Sequence, residues 1–516
     1  GYTGETPRSL STTEVEDLIS AFAVAAVRAQ EAGFDGVELL GSSGYLVSQF
    51  LSPLTNQRTD KFGGTETNRS RFPIEVIKEI RRYVGADFNL SVKIDAEDGM
   101  QGGMGLPESK RLAKSLEQVG VDRLHVWAGW HESPRPMLPL FVPSAAFADL
   151  AAEIKRSVSV PVTTVGRISD PYRAAELIRE GKSDLVGIGR ALLSDPDFVV
   201  KAQNNRSKEI RPCIACCHCF DQVVAAVRAD RPLELTCAVN PTLGRESEEL
   251  IQEANIKRRI AVVGSGPAGL EAARISALRG HYVTIYEASE RLGGLLNVAS
   301  IPPHKQGLQA LIDYYATQME LLGVALRFGV CFDASTIETE RPEVVVLATG
   351  AISSVIPIRG VDCTHALTAT EALCNTATIG QSVVVIGGGM IGLETAEHLA
   401  AAGRHVTVVE MGQIASDMSP TARNAFVLRL RKSIKILSST RALAIQANAV
   451  IVSDAKSNEK QLHADTVVFA TGLDVRRDLV QALNAAGVEF YLAGSCKVPG
   501  IIDEAIADGF RVGCAI

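Results

Sequence analysis

Half of the ten cysteines lie in one short stretch of the chain. Cys213, Cys216 and Cys219 have the spacing C-x2-C-x2-C, and Cys237 follows at a distance. Thiolates at this spacing can surround one face of a four-iron cubane, which a distant fourth cysteine completes. Four cysteines also suit a tetrahedral zinc ion, and Cys217 is a further candidate for the third ligand, so these alternatives stay open. The stretch predicts a metal centre, because a disulfide framework spreads its cysteines at structural spacings.

A glycine-rich turn follows the apolar strand RIAVV and opens a helix. Its glycines, Gly264, Gly266 and Gly269, have the spacing G-x-G-x-x-G. The first makes the turn, the second lets a pyrophosphate approach, and the third packs helix on strand. Glu287 ends the next strand, 23 residues after Gly264, where a carboxylate accepts hydrogen bonds from ribose hydroxyls. The stretch therefore predicts a dinucleotide-binding βαβ unit.

The same pattern occurs a second time. Gly387, Gly389 and Gly392 follow the strand SVVVI, and Glu410 ends the next strand, again 23 residues after the first glycine. Two such units in one chain predict two bound dinucleotides. A carboxylate at Glu410 would hydrogen-bond the 2′-hydroxyl of NADH and repel the 2′-phosphate of NADPH, so the sequence favours NADH.

The first two hundred residues alternate between strand and helix patterns. The residues Ser11-Thr12-Thr13-Glu14 form a capping signal that begins the first helix. The pattern predicts strands at 34–40, 90–95, 122–128, 161–165 and 184–189, and helices at 70–83, 107–119, 144–156 and 171–180. Repeated strand–helix units predict a parallel sheet, either a barrel or an open doubly wound sheet.

Two glycine–arginine pairs favour the barrel. Gly166-Arg167 follows one predicted strand and Gly189-Arg190 follows the next. Such loops can surround a phosphate with backbone N–H groups and a guanidinium, and in a (β/α)8 barrel the usual phosphate loops follow strands seven and eight. Counting back makes the five strands the fourth to the eighth, so strands one to three are expected to be missing. Taken alone, both arginines also suit surface ion pairs.

Several motifs resemble known flavoenzymes. The stretch GFDGVELLGSSGYLVSQFLSPLTNQRTDKFGG, followed by NRSRF, resembles flavin reductases of the old yellow enzyme type. The motifs GSSGYL, TNQRTD, AGWHE and TTVGRI, with the cysteine run, are more specifically similar to the bacterial 2,4-dienoyl-CoA reductase family, whose architecture trimethylamine dehydrogenase shares. The resemblance spans essentially the whole chain. It implies an FMN-binding barrel, a four-iron cluster, and a module that binds FAD and a pyridine nucleotide.

The resemblance also assigns barrel residues. Tyr45 and His131 match the motif positions of a pair that protonates the substrate, and a phenol beside an imidazole is a workable proton donor. Lys93 lies where the family has a cation near the flavin N1 edge, which would stabilise reduced FMN. Alternatively, Tyr45 and His131 pack in the core and Lys93 reaches solvent. Leu40 and Ser43 occupy the positions of the family's usual carbonyl-binding pair, which favours the dienoyl-CoA type over a simple enone reductase.

In the second half, the resemblance implies that the first glycine unit holds FAD and that the second, inserted in it, holds NADH or NADPH. Gly294 belongs to an LGG continuation, and Gly494 belongs to a second FAD motif in which Ser495 replaces the usual Asp. The predicted domains are a partial (β/α)8 barrel at 1–205, an iron–sulfur segment at 206–250, an FAD-binding domain at 251–378 and 464–516, and a nested NAD(P)H-binding domain at 379–463.

The composition indicates a globular protein with a small-molecule substrate. The chain has 516 residues, of which 46% are hydrophobic and 22% charged, with a net charge of −7. This acidic balance does not indicate a nucleic acid or an anionic membrane as partner. The polar opening is not a signal peptide, and no apolar run reaches the roughly 18 residues of a membrane span, so a cytoplasmic location is expected. The oligomeric state stays open.

Together these features predict an NAD(P)H-dependent flavin and iron–sulfur reductase of conjugated carbon–carbon double bonds. The resemblance implies 2,4-dienoyl-CoA reduction in unsaturated fatty acid oxidation, with electrons passing from the nicotinamide through FAD, the cluster and FMN. Three alternatives stay open: another enoate or enone reductase, an amine dehydrogenase, or an inactive or diaphorase-only fragment that lacks the first barrel strands.

Overall fold

The computed structural model describes residues 6–133, 138–248 and 251–516, so the first five residues of the polar opening lie outside the described part. The chain divides into two compact units. The first contains Gly1–Leu192 and Val227–Asp230, and the second contains Leu193–Ala226 and Arg231–Ile516. In the described part of the chain, no helix is long and apolar enough to cross a membrane. The four-part division expected from the sequence stays a prediction.

The first unit is built on one parallel sheet. Its strands are β1 (Gly36–Gly41), β2 (Asn89–Asp95), β3 (Arg123–Trp127), β4 (Val162–Thr164) and β5 (Leu185–Val186). Its helices are α1 (Thr12–Glu31), α2 (Leu46–Leu51), α3 (Glu66–Val84), α4 (Leu106–Gln118), α5 (Ala148–Lys155), α6 (Pro171–Arg179) and α7 (Arg190–Ser194), the last of which runs into the second unit. The strands pair in chain order and all in parallel, as consecutive barrel strands do. The five predicted strands are confirmed.

The first helix begins where the capping signal predicts. The Ser11 hydroxyl accepts a hydrogen bond from the Glu14 N–H, and the Glu14 carboxylate accepts one from the Ser11 N–H. This reciprocal pair satisfies two N–H groups that the helix itself leaves without partners. The helix then buries Val15, Ile19 and Ala23 against the sheet side of the core.

Side chains along the strands alternate between an apolar and a polar face of the sheet. The apolar face packs in the main core of the unit, with Leu39, Leu90, Val92, Ile94, Leu124, Val126 and Val162. On the other face, the Glu38 carboxylate accepts a hydrogen bond from Ser91 at 2.9 Å and lies 3.1 Å from His125 Nδ1. Register places Lys93 beside His125 on this polar face. In a barrel this face is the interior, where strand ends carry the active site.

The second unit contains the remaining strands. In chain order they are β6 (Arg259–Val263), β7 (Tyr282–Glu287), β8 (Ala325–Phe328), β9 (Val344–Leu347), β10 (Ala351–Ser353), β11 (Ala366–Thr368), β12 (Ser382–Ile386), β13 (His405–Val409), β14 (Lys435–Leu437), β15 (Thr440–Gln446), β16 (Ala449–Asp454), β17 (Glu459–His463), β18 (Thr466–Phe469), β19 (Leu473–Val475) and β20 (Glu489–Leu492). Two five-stranded parallel sheets result, with the orders β20-β9-β6-β7-β8 and β11-β18-β12-β13-β14. All strands of the second sheet precede β20 in the chain, and β20 then adds the last strand to the first sheet. The second sheet is therefore inserted in the first, as nested Rossmann-like units require.

The helices of this part of the chain precede, connect and follow the strands of the second unit, and one of them, His218–Ala229, ends in residues that belong to the first unit. They are α8 (Phe198–Gln203), α9 (His218–Ala229), α10 (Pro267–Leu278), α11 (Leu296–Ala299), α12 (Gly307–Leu321), α13 (Ala334–Glu340), α14 (Ala369–Cys374), α15 (Met390–Ala401), α16 (Pro420–Leu430), α17 (Val480–Ala486) and α18 (Ile502–Ala515). Helix α10 follows β6, and α15 follows β12. Each of these two helices therefore begins at a predicted dinucleotide fingerprint.

Candidate functional site

Tyr45 and His131 lie close together beyond the carboxyl ends of the strands of the first sheet. Tyr45 precedes α2, after β1, and His131 follows β3. The Tyr45 hydroxyl oxygen lies 3.1 Å from His131 Nε2, and the two ring planes are nearly perpendicular, at 81°. Tyr45 is 49% exposed, so it is not a core residue. The two predicted residues thus form a hydrogen-bonded pair that a substrate can reach, and its proton-donating role stays a prediction.

We expect the imidazole of His131 to titrate below pH 6.5. Burial lowers the pKa of His131 from its ordinary value of 6.5, and the Glu132 carboxylate opposes this only in part. Because the folded pKa lies below the unfolded one, this histidine's contribution to stability is fully present above pH 6.5 and is lost as the pH falls through the folded pKa. NMR titration of the imidazole, assigned by comparison with His131→Gln, measures this directly. A midpoint at or above 6.5 would contradict the expectation.

A buried carboxylate holds the loop that carries Tyr45. Ser43 has φ +66°, and its backbone N–H donates to Asp95 Oδ2 at 2.9 Å. Burial raises the pKa of Asp95 well above its usual range, although the bond from Ser43 opposes this. Gly44 has φ +86°, and a Cβ there would lie 3.1 Å from the Trp130 ring. Sequence analysis missed Asp95, although β2 places it on the same face as Lys93, which could have identified it.

Lys93 lies on β2, on the polar face of the sheet. Its Nζ is 4.8 Å from the centre of the Trp127 ring, and the side chain is half-buried. Burial lowers the pKa of Lys93, while the carboxylates of Glu38 and Asp95 oppose the shift. A cation held in this way near the strand ends fits the predicted position beside a flavin ring.

The two predicted phosphate-binding arginines converge on one backbone segment. Arg190 Nη2 donates to the Leu138 carbonyl at 2.8 Å, and Arg167 Nη1 donates to the Leu140 carbonyl at 2.6 Å. Gly166, with φ +115°, and Arg167, with φ +61°, give the turn after β4 a left-handed backbone. Gly189 has no atom of the described residues within 4 Å of a would-be Cβ, apart from its chain neighbours. The phosphate-binding role of both pairs stays a prediction.

The polar face has the chemistry that FMN requires. Two buried side-chain atoms there have no protein hydrogen-bond partner within the described residues: His125 Nε2 and Thr163 Oγ1. Buried polar atoms without partners are costly, and a polar ring system or its phosphate chain supplies the missing donors and acceptors. With Lys93 near the strand ends, this donor set fits FMN.

The first fingerprint has the backbone that its glycines predict. Gly264 has φ +102°, and a Cβ there would lie 2.4 Å from the Ala348 carbonyl oxygen. A Cβ on Gly269 would lie 2.1 Å from the Gly264 carbonyl oxygen, so only glycine fits either position. Around Gly266 at the start of α10, the described residues leave open space beyond the chain neighbours. A pyrophosphate needs this space to reach the helix N-terminus.

Glu287 ends β7 as a fixed anion beside this turn. Its Oε2 accepts hydrogen bonds from the Ser265 N–H at 2.9 Å and from the Ser265 hydroxyl at 2.6 Å, and its Oε1 accepts one from the Ser289 N–H at 2.8 Å. Burial alone would raise the pKa of Glu287, but these bonds outweigh it and lower the pKa. A Cβ on Gly294 would lie 3.1 Å from Gly266 Cα, so the LGG segment closes on the fingerprint.

The second FAD motif contains a carboxylate that the sequence pattern did not reveal. The Gly494 N–H donates to Asp508 Oδ2 at 2.9 Å. Asp508 is buried on α18 and forms ion pairs with Lys497 at 3.1 Å and with Arg511 at 2.9 Å. Ser495 replaces the family's Asp in sequence, whereas Asp508 places a negative charge at the same glycine from the following helix.

The second fingerprint has the same construction. A Cβ on Gly392 would lie 2.0 Å from the Gly387 carbonyl oxygen. Glu410 follows β13, and its Oε2 accepts a hydrogen bond from the Gly388 N–H at 2.7 Å, while its Oε1 accepts one from the Gly412 N–H at 2.6 Å. The predicted acid therefore lies directly beside the predicted turn.

A buried ion pair connects the segment before α12 with the helix of the second fingerprint. Lys305 Nζ lies 2.5 Å from Glu394 Oε1, and both side chains are largely buried. Burial raises the pKa of Glu394, although Lys305 opposes the shift. Sequence analysis missed this pair, because Lys305 lies in the irregular stretch PPHKQG and Glu394 looks like an ordinary helix residue.

The cysteine run brings three predicted ligands together. Cys213, Cys216 and Cys237 lie close enough for their charges to interact. Burial raises the pKa of the Cys216 and Cys237 thiols, while the Cys216 sulfur accepts a hydrogen bond from the His218 N–H and the Cys237 sulfur accepts two from backbone N–H groups. Hydrogen bonds to the sulfurs are one of the means by which proteins tune iron–sulfur clusters.

The other two cysteines of the run differ from each other. Cys219 lies in the first turn of α9 and is half-buried, whereas Cys217 is fully buried and its thiol donates to the Ala215 carbonyl at 3.8 Å. Among the described residues, no three His, Cys, Asp or Glu side chains surround a single-ion position. A cubane takes one thiolate on each iron, so its ligands stand apart. Cys213, Cys216 and Cys237 are therefore consistent with part of a cubane's ligand set, and the four-iron cluster with Cys219 as its further ligand stays a prediction.

A buried charge network lies next to the cysteines. Arg211 is fully buried two residues before Cys213, and its Nη2 lies 3.6 Å from Glu271 Oε1 on α10. Burial would lower the pKa of Arg211, but Glu271 raises it above its ordinary value. Burial likewise opposes ionisation of Glu271, yet Arg274, at 2.7 Å, and Arg211 hold its pKa at about 2. The cysteine run and α10 therefore share one set of paired charges.

Comparison with known proteins matches both halves of the chain. Residues 2–209 match the NADH:flavin oxidoreductase / NADH oxidase family, and residues 258–499 match the pyridine nucleotide-disulphide oxidoreductase family. An NADH oxidase of Thermoanaerobacter brockii is 39% identical over 99% of this chain and 79% of its own length. A cinnamate reductase of Clostridium sporogenes is 33% identical over 92% of this chain and 74% of its own. A solved complex of 2-naphthoyl-CoA reductase with 2-naphthoyl-CoA is 33% identical, with a TM-score of 0.93 over 99% of this chain and 77% of that one.

Proposed function

Because this chain belongs to the NADH:flavin oxidoreductase / NADH oxidase family and continues into a pyridine nucleotide-disulphide oxidoreductase region, we propose that it reduces a conjugated carbon–carbon double bond with electrons from NAD(P)H. The substrate class that we propose is an unsaturated acyl-CoA thioester, with 2,4-dienoyl-CoA first. The observation that carries the proposal is the accessible Tyr45–His131 pair, at 3.1 Å. Support also comes from the similarity to a cinnamate reductase and a 2-naphthoyl-CoA reductase, whose names describe an unsaturated acid and an aromatic acyl-CoA thioester.

The protein's residues provide places for three resident cofactors. FMN would be held by Lys93 and the glycine–arginine turns after β4 and β5, FAD by the first fingerprint with Glu287, and the cluster by the four cysteines. When bound, these groups carry electrons singly or in pairs between the nicotinamide and the substrate. The second fingerprint, with Glu410, would bind the nicotinamide nucleotide itself.

The barrel residues then have one task, which is to supply a proton to the carbon skeleton as its double bond is reduced. The Tyr45 hydroxyl is the acid, because it is exposed and its oxygen is hydrogen-bonded to His131 Nε2. A neutral His131, as its lowered pKa implies, can accept the hydrogen bond of the hydroxyl at Nε2 and so orient it; after the transfer, a proton taken up from water restores the hydroxyl. Asp95 fixes the loop before Tyr45 and so acts as a positioning residue.

A steady-state assay tests this proposal. NADH oxidation by the purified protein is followed with 2,4-dienoyl-CoA, with cinnamoyl-CoA and free cinnamate as a matched pair, and with an artificial acceptor alone. In a separate assay without NADH, reduction of the artificial acceptor by a secondary amine is followed. We expect the highest kcat/KM with the dienoyl thioester. Turnover confined to the amine, or to artificial acceptors, would contradict it and favour an amine dehydrogenase or a diaphorase.

A second candidate is reduction of a free unsaturated carboxylic acid. The similarity to a cinnamate reductase favours it, and the matched pair of cinnamate and its thioester separates the two possibilities. A higher kcat/KM for the free acid than for either thioester would select this second candidate.

We expect NADH to be used with a kcat/KM about tenfold or more above that of NADPH. The Glu410 carboxylate lies at the end of β13, where it repels a 2′-phosphate, and the loop 411–419 that follows contains no Lys or Arg. In Glu410→Gln the preference should shrink several-fold, since the repulsion is removed. Stopped-flow reduction of the flavin by each nucleotide measures the ratio. A native preference for NADPH would show that other residues read the 2′-phosphate.

A further inference from the structure

A carboxylate lies at the entrance of the second fingerprint. Asp417 Oδ1 and Oδ2 lie 2.9 Å and 3.0 Å from the backbone nitrogen of Met390, whose N–H donates to them. Met390 is the first residue of α15 and follows the middle glycine of the motif. A Cβ on Gly389 would lie 2.8 Å from Asp417 Oδ2. The Asp417 side chain thus lies against Gly389, the glycine whose missing side chain lets a pyrophosphate approach.

The first fingerprint provides the comparison. At Gly266, the equivalent of Gly389, the described residues leave the approach open beyond the chain neighbours. Pro267, the equivalent of Met390, has no N–H, and no carboxylate is bonded to the first turn of α10 in the described part of the chain; Glu287 binds the preceding serine instead. A free N–H at a helix N-terminus is the group that receives a dinucleotide phosphate. In the second fingerprint, the N–H of the first helical residue, Met390, is available for such a contact and is already occupied by an anion of the chain itself.

The loop that carries Asp417 is fastened to the glycine turn. The Ala415 N–H donates to the Gly388 carbonyl at 2.8 Å, and Ala415 has φ +55°. Arg423 Nη2 donates to the carbonyl oxygens of Ser416 at 3.1 Å and Met418 at 3.3 Å. These bonds on both sides of Asp417 aim its side chain at α15. The side chain itself is exposed, so it can turn into water without loss of packing.

We propose that Asp417 is an internal competitor of the nicotinamide nucleotide: its carboxylate occupies the pyrophosphate position and must leave before the nucleotide binds. This inference rests on the proposed use of the second fingerprint for NAD(P)H. Two anions cannot share one N–H donor, because they repel each other and each needs the same hydrogen bond. The measured affinity is therefore the intrinsic affinity multiplied by the fraction of molecules in which the Met390 N–H is free.

The test compares the binding of two non-reducing probes by the full chain. ADP-ribose carries both phosphates, whereas adenosine carries none. In Asp417→Asn we expect the Kd for ADP-ribose to fall by about 3- to 10-fold, as a site blocked in most free molecules implies, with the Kd for adenosine unchanged. Asp417→Glu keeps the charge and should change the Kd for ADP-ribose less. Asp362→Asn, at an exposed acid in the turn before β11, is the matched control for net charge.

Thermal unfolding distinguishes competition from a purely structural role. Asp417→Asn removes a charged group from a helix N-terminus, so the free variant should melt at or slightly below the wild-type temperature, whereas ADP-ribose should raise its Tm more than that of the wild type. An unchanged or weaker affinity for ADP-ribose in Asp417→Asn would overturn the inference. If NADH reduces the flavin of the wild type but Asp417→Asn binds ADP-ribose no more tightly than the wild type does, only this inference is overturned. Failure of NADH, NADPH and ADP-ribose to bind either form would remove the proposed nucleotide site as well.

Discussion

Replacing Tyr45 with Phe and His131 with Ala together should lower the reduction of 2,4-dienoyl-CoA by about 10²–10⁴-fold, the usual effect of a positioned general acid. The same protein should oxidise NADH with an artificial acceptor at nearly the parental rate. The two residues belong to the first unit, whereas both dinucleotide fingerprints belong to the second. Parallel steady-state assays of the two half-reactions on one preparation measure the separation.

The single variant Tyr45→Phe refines this experiment, because it keeps the ring and removes only the hydroxyl. Tyr172→Phe, at a 70% exposed tyrosine on α6, is the control for loss of a phenol elsewhere in the same unit. Bound FMN is quantified in every variant. A parental rate of dienoyl reduction in the double variant would assign the proton donor to another group. Parallel loss of both half-reactions together with FMN would instead favour a structural role for the pair.

Serine at Cys213, Cys216, Cys219 or Cys237 should abolish the metal centre. The anaerobically purified protein should contain iron and acid-labile sulfide at about four each, as a cubane requires, and each of these variants should lose most of both. Electron transfer from NADH to the substrate should fall with the cluster, while NADH still reduces FAD. Iron and sulfide analysis with stopped-flow flavin spectra follows both effects.

Cys217→Ser is the matched control for that experiment. Its thiol is bonded to the Ala215 carbonyl and fully buried, so it is already used as a small core group. We expect this variant to keep its iron and sulfide. Stoichiometric zinc without sulfide in the parent protein would contradict the cluster and support the tetrahedral zinc alternative. If Cys217→Ser loses the cluster and Cys219→Ser keeps it, Cys217 is the ligand and Cys219 is not.

Where local rules act, the sequence predicts the structure closely. The capping box at Ser11, the five barrel strands and the two glycine turns each depend on neighbours in the chain, and each is confirmed. The apposition of Tyr45 and His131 could be anticipated as well, because both follow parallel strands and strand ends of one sheet lie at a common edge. Their chemical role does not follow from that geometry alone.

Long-range contacts account for what the sequence pattern did not reveal. Asp95, Asp508 and Asp417 each bind a backbone N–H across a distance in the chain that no periodicity encodes. In the sequence, Asp95 is the last residue of a strand, Asp417 lies in a loop and Asp508 lies in the middle of a helix, so none of them stands out. Their partners are single amides of glycine-rich or left-handed turns, and only the folded chain brings carboxylate and amide together.

The buried network of Arg211, Glu271 and Arg274 has a consequence for modularity. Its central anion, Glu271, and the cation Arg274 come from the helix of the first fingerprint, and its second cation, Arg211, comes from the segment just before the cysteine run. If this segment met a different helix, Arg211 would lose its carboxylate and leave an uncompensated charge in an apolar interior, at a cost of about 3–5 kcal/mol, whereas Glu271 would keep Arg274 at 2.7 Å. A gene fusion or recombination that joined this segment to a foreign nucleotide-binding half would lower the stability of the product by that amount. The segment that carries Arg211 and the cysteines is therefore expected to be inherited together with the nucleotide-binding half that carries Glu271, as one exchangeable unit in gene fusions.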